Sequence, residues 1–507
     1  MTTPEPRAKS RGQVSSNAER DESAVHVQSP VGSSGVGANP APRLRSGLGE
    51  GDRRIAAGLF LLAFLTYAGF FSGGGWNQNA HFDLTRALVE RQTLHIDMSR
   101  PNTGDVSWIR HDGEWRAYIN KPPGISFLGA LPYAALWLVE RAAQVPSDSW
   151  MWMTLNAWLV TVFTCGLTGA LIPAVLYLYG VRRASRAAAL GVALAVAFGT
   201  GIFPYATLLM AHVPPALFLL LAFVWLDERP LLAGICAGIA GVSYYLCIPA
   251  AIVLLIALAF RDRRAALRFA LGGAPFGLAL AAYQYACFGS PFVTSLETSR
   301  KFTEQGLLFG VFRLPMAEAL WGLSFSEYRG LFFASPFLLL AFLGVRRMKR
   351  SDAVAILAIC AIFFFAMTGF NGWHGGAAFG PRYLVPMVPL LAIPLLYVRS
   401  RTLGAIALVL GLFAFGLHLL ATAVNPMPRR AERHPVRYLL AIGRTSVNEQ
   451  AVDEALPHRR YPRGSHESAW ASFNLGETVF GPGNPLSVLP VALWVLAGSG
   501  LLLARCR

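Results

Sequence analysis

The chain has 507 residues, of which 54% are hydrophobic and only 14% charged, against about 25% charged in soluble domains. That balance excludes a soluble globular protein: runs approaching the roughly 20 apolar residues needed to cross the hydrocarbon recur, so the class is an all-α polytopic membrane protein. The net charge of +16 does not point to nucleic acid, because the basic residues come in short clusters between apolar runs, where they read as orientation signals.

Residues 1–52 are rich in Ser, Gly, Pro and Arg without an apolar run. They read as a disordered cytoplasmic tail rather than a cleavable signal, whose apolar region lies near the start. About 12 spans follow, at 55–72, 151–179, 187–204, 208–226, 231–246, 248–260, 266–287, 330–345, 353–370, 383–398, 402–424 and 485–504. The short pair 231–246 and 248–260 reads as a tight hairpin around Tyr244 and Tyr245. This divides the chain into the tail, a membrane domain over 53–424, an outer loop over 425–484 and a last span within 485–507. The six cysteines lie in or beside apolar runs with no CxxC spacing, as ordinary small apolar residues.

The run 124–139 decides the topology. With Arg53-Arg54 in the cytoplasm and 124–139 not crossing, the clusters at Arg182-Arg183, Arg261, Arg346-Arg347, Arg399 and Arg505 all fall inside, as the positive-inside rule requires. If the run crosses, they all flip. It is short, with 16 residues from Gly124 before Glu140, and carries Pro132, so it reads as an interfacial or re-entrant helix. The loop 425–484, with eight arginines against six acidic residues, then lies outside, where long loops obey the rule poorly.

In that topology most polar residues share the outer side, and no Asp, Glu, Lys or Arg sits at the middle of a span. Midplane charges mark ion and proton paths, so their absence disfavours an ion-coupled transporter. His212 and His418 fall in the outer portions of their helices. The first outer loop, 73–123, carries Asp83, Asp97, Asp105, Asp112, Glu114 and Lys121. Its opening segment places Ala80, Leu84, Ala87 and Leu88 on one helical face, with Asp83, Arg86, Glu90 and Arg91 on the rest. It therefore reads as an interfacial helix over 80–92, joined to 124–139 by a polar strip. Asp83 is either catalytic or part of a solvated face. Lys121, before two prolines, is either a phosphate ligand or a headgroup anchor.

A second polar group is 371-NGWHGGAAFGPRYL-384. Its glycines permit tight turns and close approach to a ligand. Arg382, at the membrane boundary, offers a bidentate contact to phosphate or carboxylate, with His374 and Tyr383 beside it; alternatively Trp373, Arg382 and Tyr383 are interfacial anchors. The charges of 288–329, Glu297, Arg300, Lys301 and Glu304, read as a solvated face.

Two interfacial helices, the second introduced by K-P-P, followed by a helix ending in a basic pair, resemble the bacterial GT-C glycosyltransferases. The segments 77-NQNAHFDLTRALVE-90, 121-KPPG-124, 323-LSFSEYRGLFFASP-336 and 375-GGAAFGPRYLVP-386 are similar to the protein-mannosyltransferase and aminoarabinose-transferase type, family 39, in a less characterised branch. The resemblance covers roughly 55–400 and implies transfer of a sugar from a polyprenyl-phosphate carrier to an envelope glycan, lipid or protein acceptor, at the outer face of the inner (plasma) membrane. It implies no cofactor and no dedicated metal site, with a divalent metal not excluded. Lys121, Arg382 and His374 would hold the donor phosphate; Arg86 and Tyr383 are further site candidates. Such transferases begin the first interfacial helix with Asp-Glu, where this chain has Asn77-Gln78. Neither amide can act as a base, so either Asp83, Asp97 or Asp105 takes that role, Asp83 first, or the chain is not an active transferase of that type. The competing class is a transporter or flippase of lipid-linked glycan without covalent chemistry, followed by a scaffold in envelope assembly.

Overall fold

The computed structural model describes residues 48–99, 102–145, 150–298, 311–447 and 472–506. The tail up to residue 47, and Arg300, Lys301, Glu304, Arg459-Arg460 and Arg507, lie outside these described residues. The fold is mostly helical. Five helices are long and apolar enough to cross a membrane: Met151–Gly180, Arg263–Phe288, Arg350–Thr368, Arg401–Val424 and Pro485–Ala504. They turn large apolar side chains outward, such as Leu271 and Leu278 on one, and Leu408 and Val409 on another, as a helix facing lipid does. Shorter apolar helices, among them Arg186–Phe198, Val213–Val224, Pro230–Ser243 and Cys247–Ala259, complete the bundle. The last two form the expected hairpin, hinged at extended Tyr244.

Two expected spans are broken rather than continuous. Over 330–345 the chain forms Leu331–Ala334, a 3-10 turn Pro336–Leu340 and Ala341–Val345. Over 383–398 it runs 3-10, α, 3-10 through Arg382–Met387, Val388–Ala392 and Ile393–Tyr397. Proline supplies the cause: Pro336, Pro386, Pro389 and Pro394 each lack the donor an interior α-turn needs and crowd the preceding turn.

The first helix, α1 (Glu50–Ala68), starts inside the expected tail because Asp52 is buried, taking a 2.7 Å ion pair from Arg186 and a hydrogen bond from Tyr177. That contact holds the Asp52 carboxyl below the usual carboxylate range, the Arg186 hydrogen bond contributing most. Similar pairs join Arg182 to Glu228, and Arg261 to both Asp227 and Asp352. Arg182, Arg186 and Arg261, with their acidic partners, therefore lie toward one end of the bundle. The other end gathers the 73–123 loop, residues 205–212 and the 371–383 loop, separated from the first by Val213–Val224, about 18 Å at 1.5 Å per residue.

Short strand pairs modify the all-α expectation. Strand β1 (Phe70–Ser72) pairs antiparallel with β4 (Ser472–Asn474), and β2 (Val106–His111) with β3 (Glu114–Ile119), turning at Asp112-Gly113. Helix α2 (Trp76–Arg86) precedes the β2–β3 hairpin and α3 (Gly124–Ala142) follows it. Both ends of α3 stay at the second end of the bundle. Gly124 packs against Ser243, while Glu140 lies beside Asn156, two residues from Trp158, whose indole donates to Ala68 O at the far end of α1. So α3 does not run the length of the bundle.

Candidate functional site

Helix α2 was expected to lie in the headgroup layer with a solvated polar face. It is instead interior: Gln78 through Arg86 are all buried. Its apolar side, Ala80, Leu84 and Ala87, packs on Ile96, Ala117 and Ile119 from the hairpin side of the loop, and α3 covers another face. What reads as a polar strip is a folded lid, and within α2 only Trp76 and Asn77 at its start keep partial exposure. A π-turn over Ala87–Arg91 ends the helix at left-handed Gln92.

This burial separates the three candidate carboxylates. Asp83 is 0% exposed; its Oδ1 accepts from Asn102 Nδ2 at 3.1 Å and its Oδ2 has no partner. Burial pushes its pKa up to about 7, opposed by the Asn102 hydrogen bond and by Arg86 and Arg91. It belongs to a cluster in which Arg86 pairs with Glu90 at 2.6 Å and Tyr133 donates to Glu90; Arg86 is thus a structural ion-pair partner. Asp97 pins the hairpin, accepting from Ala117 N at 2.6 Å and pairing with Arg116 and His95, each at 3.0 Å. Asp105 alone faces the other cations. It pairs with Lys121 at 3.2 Å, the side chains only 13% and 14% exposed, and lies within electrostatic range of Arg382 and His81.

Asp105 is placed by local bonds. Thr103 Oγ1 donates to Trp76 O and accepts from Asp105 N, while Asn120 N donates to Asp105 O. Lys121 leaves β3 at a fixed angle because Pro122-Pro123 follow and α3 starts at once. Asn77 and Gln78 sit at the start of α2. Gln78 Nε2 donates to Ser72 O at 3.0 Å, while Gln78 Oε1 and Asn77 Oδ1 have no partner. Gln78 and Asn79 also line a narrow cleft with Phe71, Phe82, Met153 and Leu209.

The glycine-rich loop is held by Arg329, which the sequence reading did not single out. Fully buried, it donates from Nε to His374 O, from Nη2 to Gly376 O and from Nη1 to Tyr328 O, at 2.7–2.9 Å. Burial lowers its pKa to about 10. Gly375 and Gly376 adopt left-handed φ of +75° and +65°. A Cβ on Gly375 would meet Arg382 Nε at 3.0 Å, so glycine is needed both for the turn and for the approach of that guanidinium. His374 holds its own loop, its Nδ1 accepting from Gly376 N at 2.9 Å. Burial first, then Arg430, Arg329, Arg382 and Arg433, lower its pKa to about 4, so it enters as a neutral loop residue rather than a cation for phosphate.

Arg382 contrasts with Arg329. Nη2 donates to Tyr383 Oη at 3.2 Å, Nη1 reaches Met210 Sδ at 4.0 Å, and Nε is buried with no partner. Among the described residues no carboxylate forms an ion pair with it. Next to it His212, 3% exposed, stands edge-on to Tyr205, Tyr244 and Tyr383 with ring centroids 5.5–5.8 Å apart, within electrostatic range of Arg382, His81 and Lys121. His81 turns Nδ1 to Ser126 Oγ at 3.2 Å; burial, with Lys121, lowers its pKa to about 3. The tertiary structure thus brings Lys121, Asp105, Arg382 and Tyr383 to one place and leaves Asp83, Asp97 and Arg86 elsewhere. His418, by contrast, is satisfied within its own helix by Ala414 O. Among the described residues no group of three His, Cys, Asp or Glu could hold a metal ion. The sequence matches no protein-family model and no curated protein.

Proposed function

We propose that the chain is a membrane glycosyltransferase that takes a sugar from a polyprenyl-phosphate donor and passes it to a hydroxyl of an envelope acceptor at the extracytoplasmic surface. The observation that carries this reading is Arg382, a guanidinium that among the described residues forms no ion pair with a carboxylate, within electrostatic range of Asp105 of the Lys121–Asp105 pair at one end of an apolar bundle. Cations there suit a phosphate whose isoprenoid tail stays in the bilayer, and a carboxylate among them suits proton transfer. Asp105 takes the acceptor hydroxyl proton; the acceptor oxygen bonds to the anomeric carbon, and the bond from that carbon to phosphate breaks with its electron pair on the phosphate oxygen. Arg382 and Lys121 stabilise the charge that develops there. Asp83 and Asp97, engaged elsewhere, hold the lid.

The test uses the purified chain in lipid nanodiscs with farnesyl-phosphate-linked sugars as donors and release of farnesyl phosphate as the readout. Lys121→Ala and Arg382→Ala should abolish most turnover, and Arg382→Lys should rescue poorly, since a point charge does not reproduce a planar fork. Asp105→Asn should lower transfer by roughly 10²–10⁴-fold with donor binding retained. Wild-type turnover in all of these variants would return the cations to an anchoring role. Movement of intact donor across proteoliposomes without sugar release would replace transfer by translocation.

A further inference from the structure

Among the described residues, neither ring nitrogen of buried His212 has a hydrogen-bond partner, and nor does Nε2 of buried His81. Buried polar atoms in native proteins are nearly always paired, so each such atom calls for an explanation. The residues around His212 do not supply one. Tyr205 Oη donates to Phe379 O, Tyr244 Oη to Tyr383 O, and Tyr383 Oη accepts from Arg382. The three tyrosines therefore hold the ring by their edges and faces, and none of their hydroxyls bonds to it. Arg382 Nε is a further unpartnered nitrogen. Unpartnered nitrogens thus come from three separate parts of the chain, α2, the start of Val213–Val224 and the start of Arg382–Met387, with Lys121 in range of both histidines. One N–H from each neutral imidazole, together with the Arg382 Nε–H, makes a set of donors that fits an anionic oxygen ligand.

We propose that His212 and His81 are the two imidazole donors of a phosphate-monoester site whose charged members are Arg382 and Lys121, and that its ligand is an isoprenoid phosphate. This rests on the glycosyl-transfer reading and adds its binding contacts. Ser126 Oγ donates to His81 Nδ1, leaving Nε2–H for the ligand, and His212 donates from one nitrogen.

The probes are farnesyl phosphate, farnesol and inorganic phosphate, titrated into the full chain in phosphatidylcholine nanodiscs. His212→Phe fits the aromatic cage and should weaken farnesyl phosphate by roughly 10–100-fold, the loss of one hydrogen bond to a charged group, with farnesol unchanged. At His81 the reach of the side chain decides. His81→Gln places its amide where Nε2 stood and should bind within a few-fold of wild type, whereas His81→Asn reaches only the Ser126 side and should be as weak as His81→Phe. If Asn rescues as well as Gln, His81 serves α3 packing and the proposal fails for it. Should His212→Phe not fold, His212→Gln and His212→Leu replace it, and equal affinity in those two refutes the role of His212. Inorganic phosphate binding as tightly as farnesyl phosphate would overturn the isoprenoid assignment. A wild-type chain that does not distinguish farnesyl phosphate from farnesol would sink the underlying phosphate reading as well.

Discussion

Replacing Asp83 by Asn isolates the cost of burying a carboxyl beneath the lid formed by residues 93–99 and 102–123. Asp83 is 0% exposed, with one hydrogen bond and a pKa raised from 3.8 to about 7. At about 1.4 kcal/mol per unit, the difference means that the folded protein gives up about 4 kcal/mol on going from acid to alkaline pH through this one group. The raised value sets the sign. The unfolded chain loses its proton near pH 4 and the folded chain only near 7, so stability is fully present below about pH 4 and declines as pH rises to about 7, then levels. Asn cannot ionise and so removes this decline, but its amide leaves a donor unpaired where Oδ2 stood, at about 1–3 kcal/mol. Asp83→Asn should therefore be more stable than the parent at pH 8 by about 1–3 kcal/mol and less stable by a similar amount at pH 4. Thermal unfolding in nanodiscs from pH 4 to 8 measures both limbs. A parent whose stability does not fall over that range relative to the variant, or a variant less stable at pH 8, refutes the argument. Turnover, on the same reasoning, should change by no more than a few-fold, because the electrostatic neighbours of Asp83 are Arg86, Arg91 and Glu90 and not Lys121 or Arg382.

Arg329→Met removes three hydrogen bonds from a charged donor to loop carbonyls and should cost at least about 3 kcal/mol, read as faster amide exchange over 371–380; unchanged exchange would refute its role in holding that loop. Gly375→Ala forces a side chain into left-handed φ and against Arg382 Nε, so farnesyl phosphate affinity should fall several-fold with only about 1 kcal/mol of stability lost; an unchanged affinity would separate the loop from the cation. Cysteine at Glu114, on the exposed turn of the hairpin, should react with an impermeant thiol reagent outside spheroplasts, and cysteine at Ser185 should not; the reverse pattern would place the candidate site in the cytoplasm. Asn102, in the same loop, is fully buried and would be a poor reporter of sidedness.

The helical membrane class, the approximate position of most apolar segments and the hairpin at Tyr244 were legible because lipid imposes composition along the chain, and composition is local. The clustering of Arg182, Arg186 and Arg261 at one end followed for the same reason: charges are excluded from the hydrocarbon and must collect beside it. Lys121 and Arg382 could be picked out by residue type, but not their proximity, since 260 positions of chain separate them. The burial of Asp83, expected on a polar face at the membrane surface, has a definite cause. Period and polarity describe which face of α2 is polar, not whether water or a folded lid lies against it; Asn102 of that lid bonds Asp83, and its β2–β3 hairpin makes Asp97 a structural pin. Arg329 and Arg382 are chemically identical in the sequence. Only the tertiary structure separates them, because among the described residues three carbonyls converge on one guanidinium and none on the other, and which donors remain unpaired depends on every element packed around them.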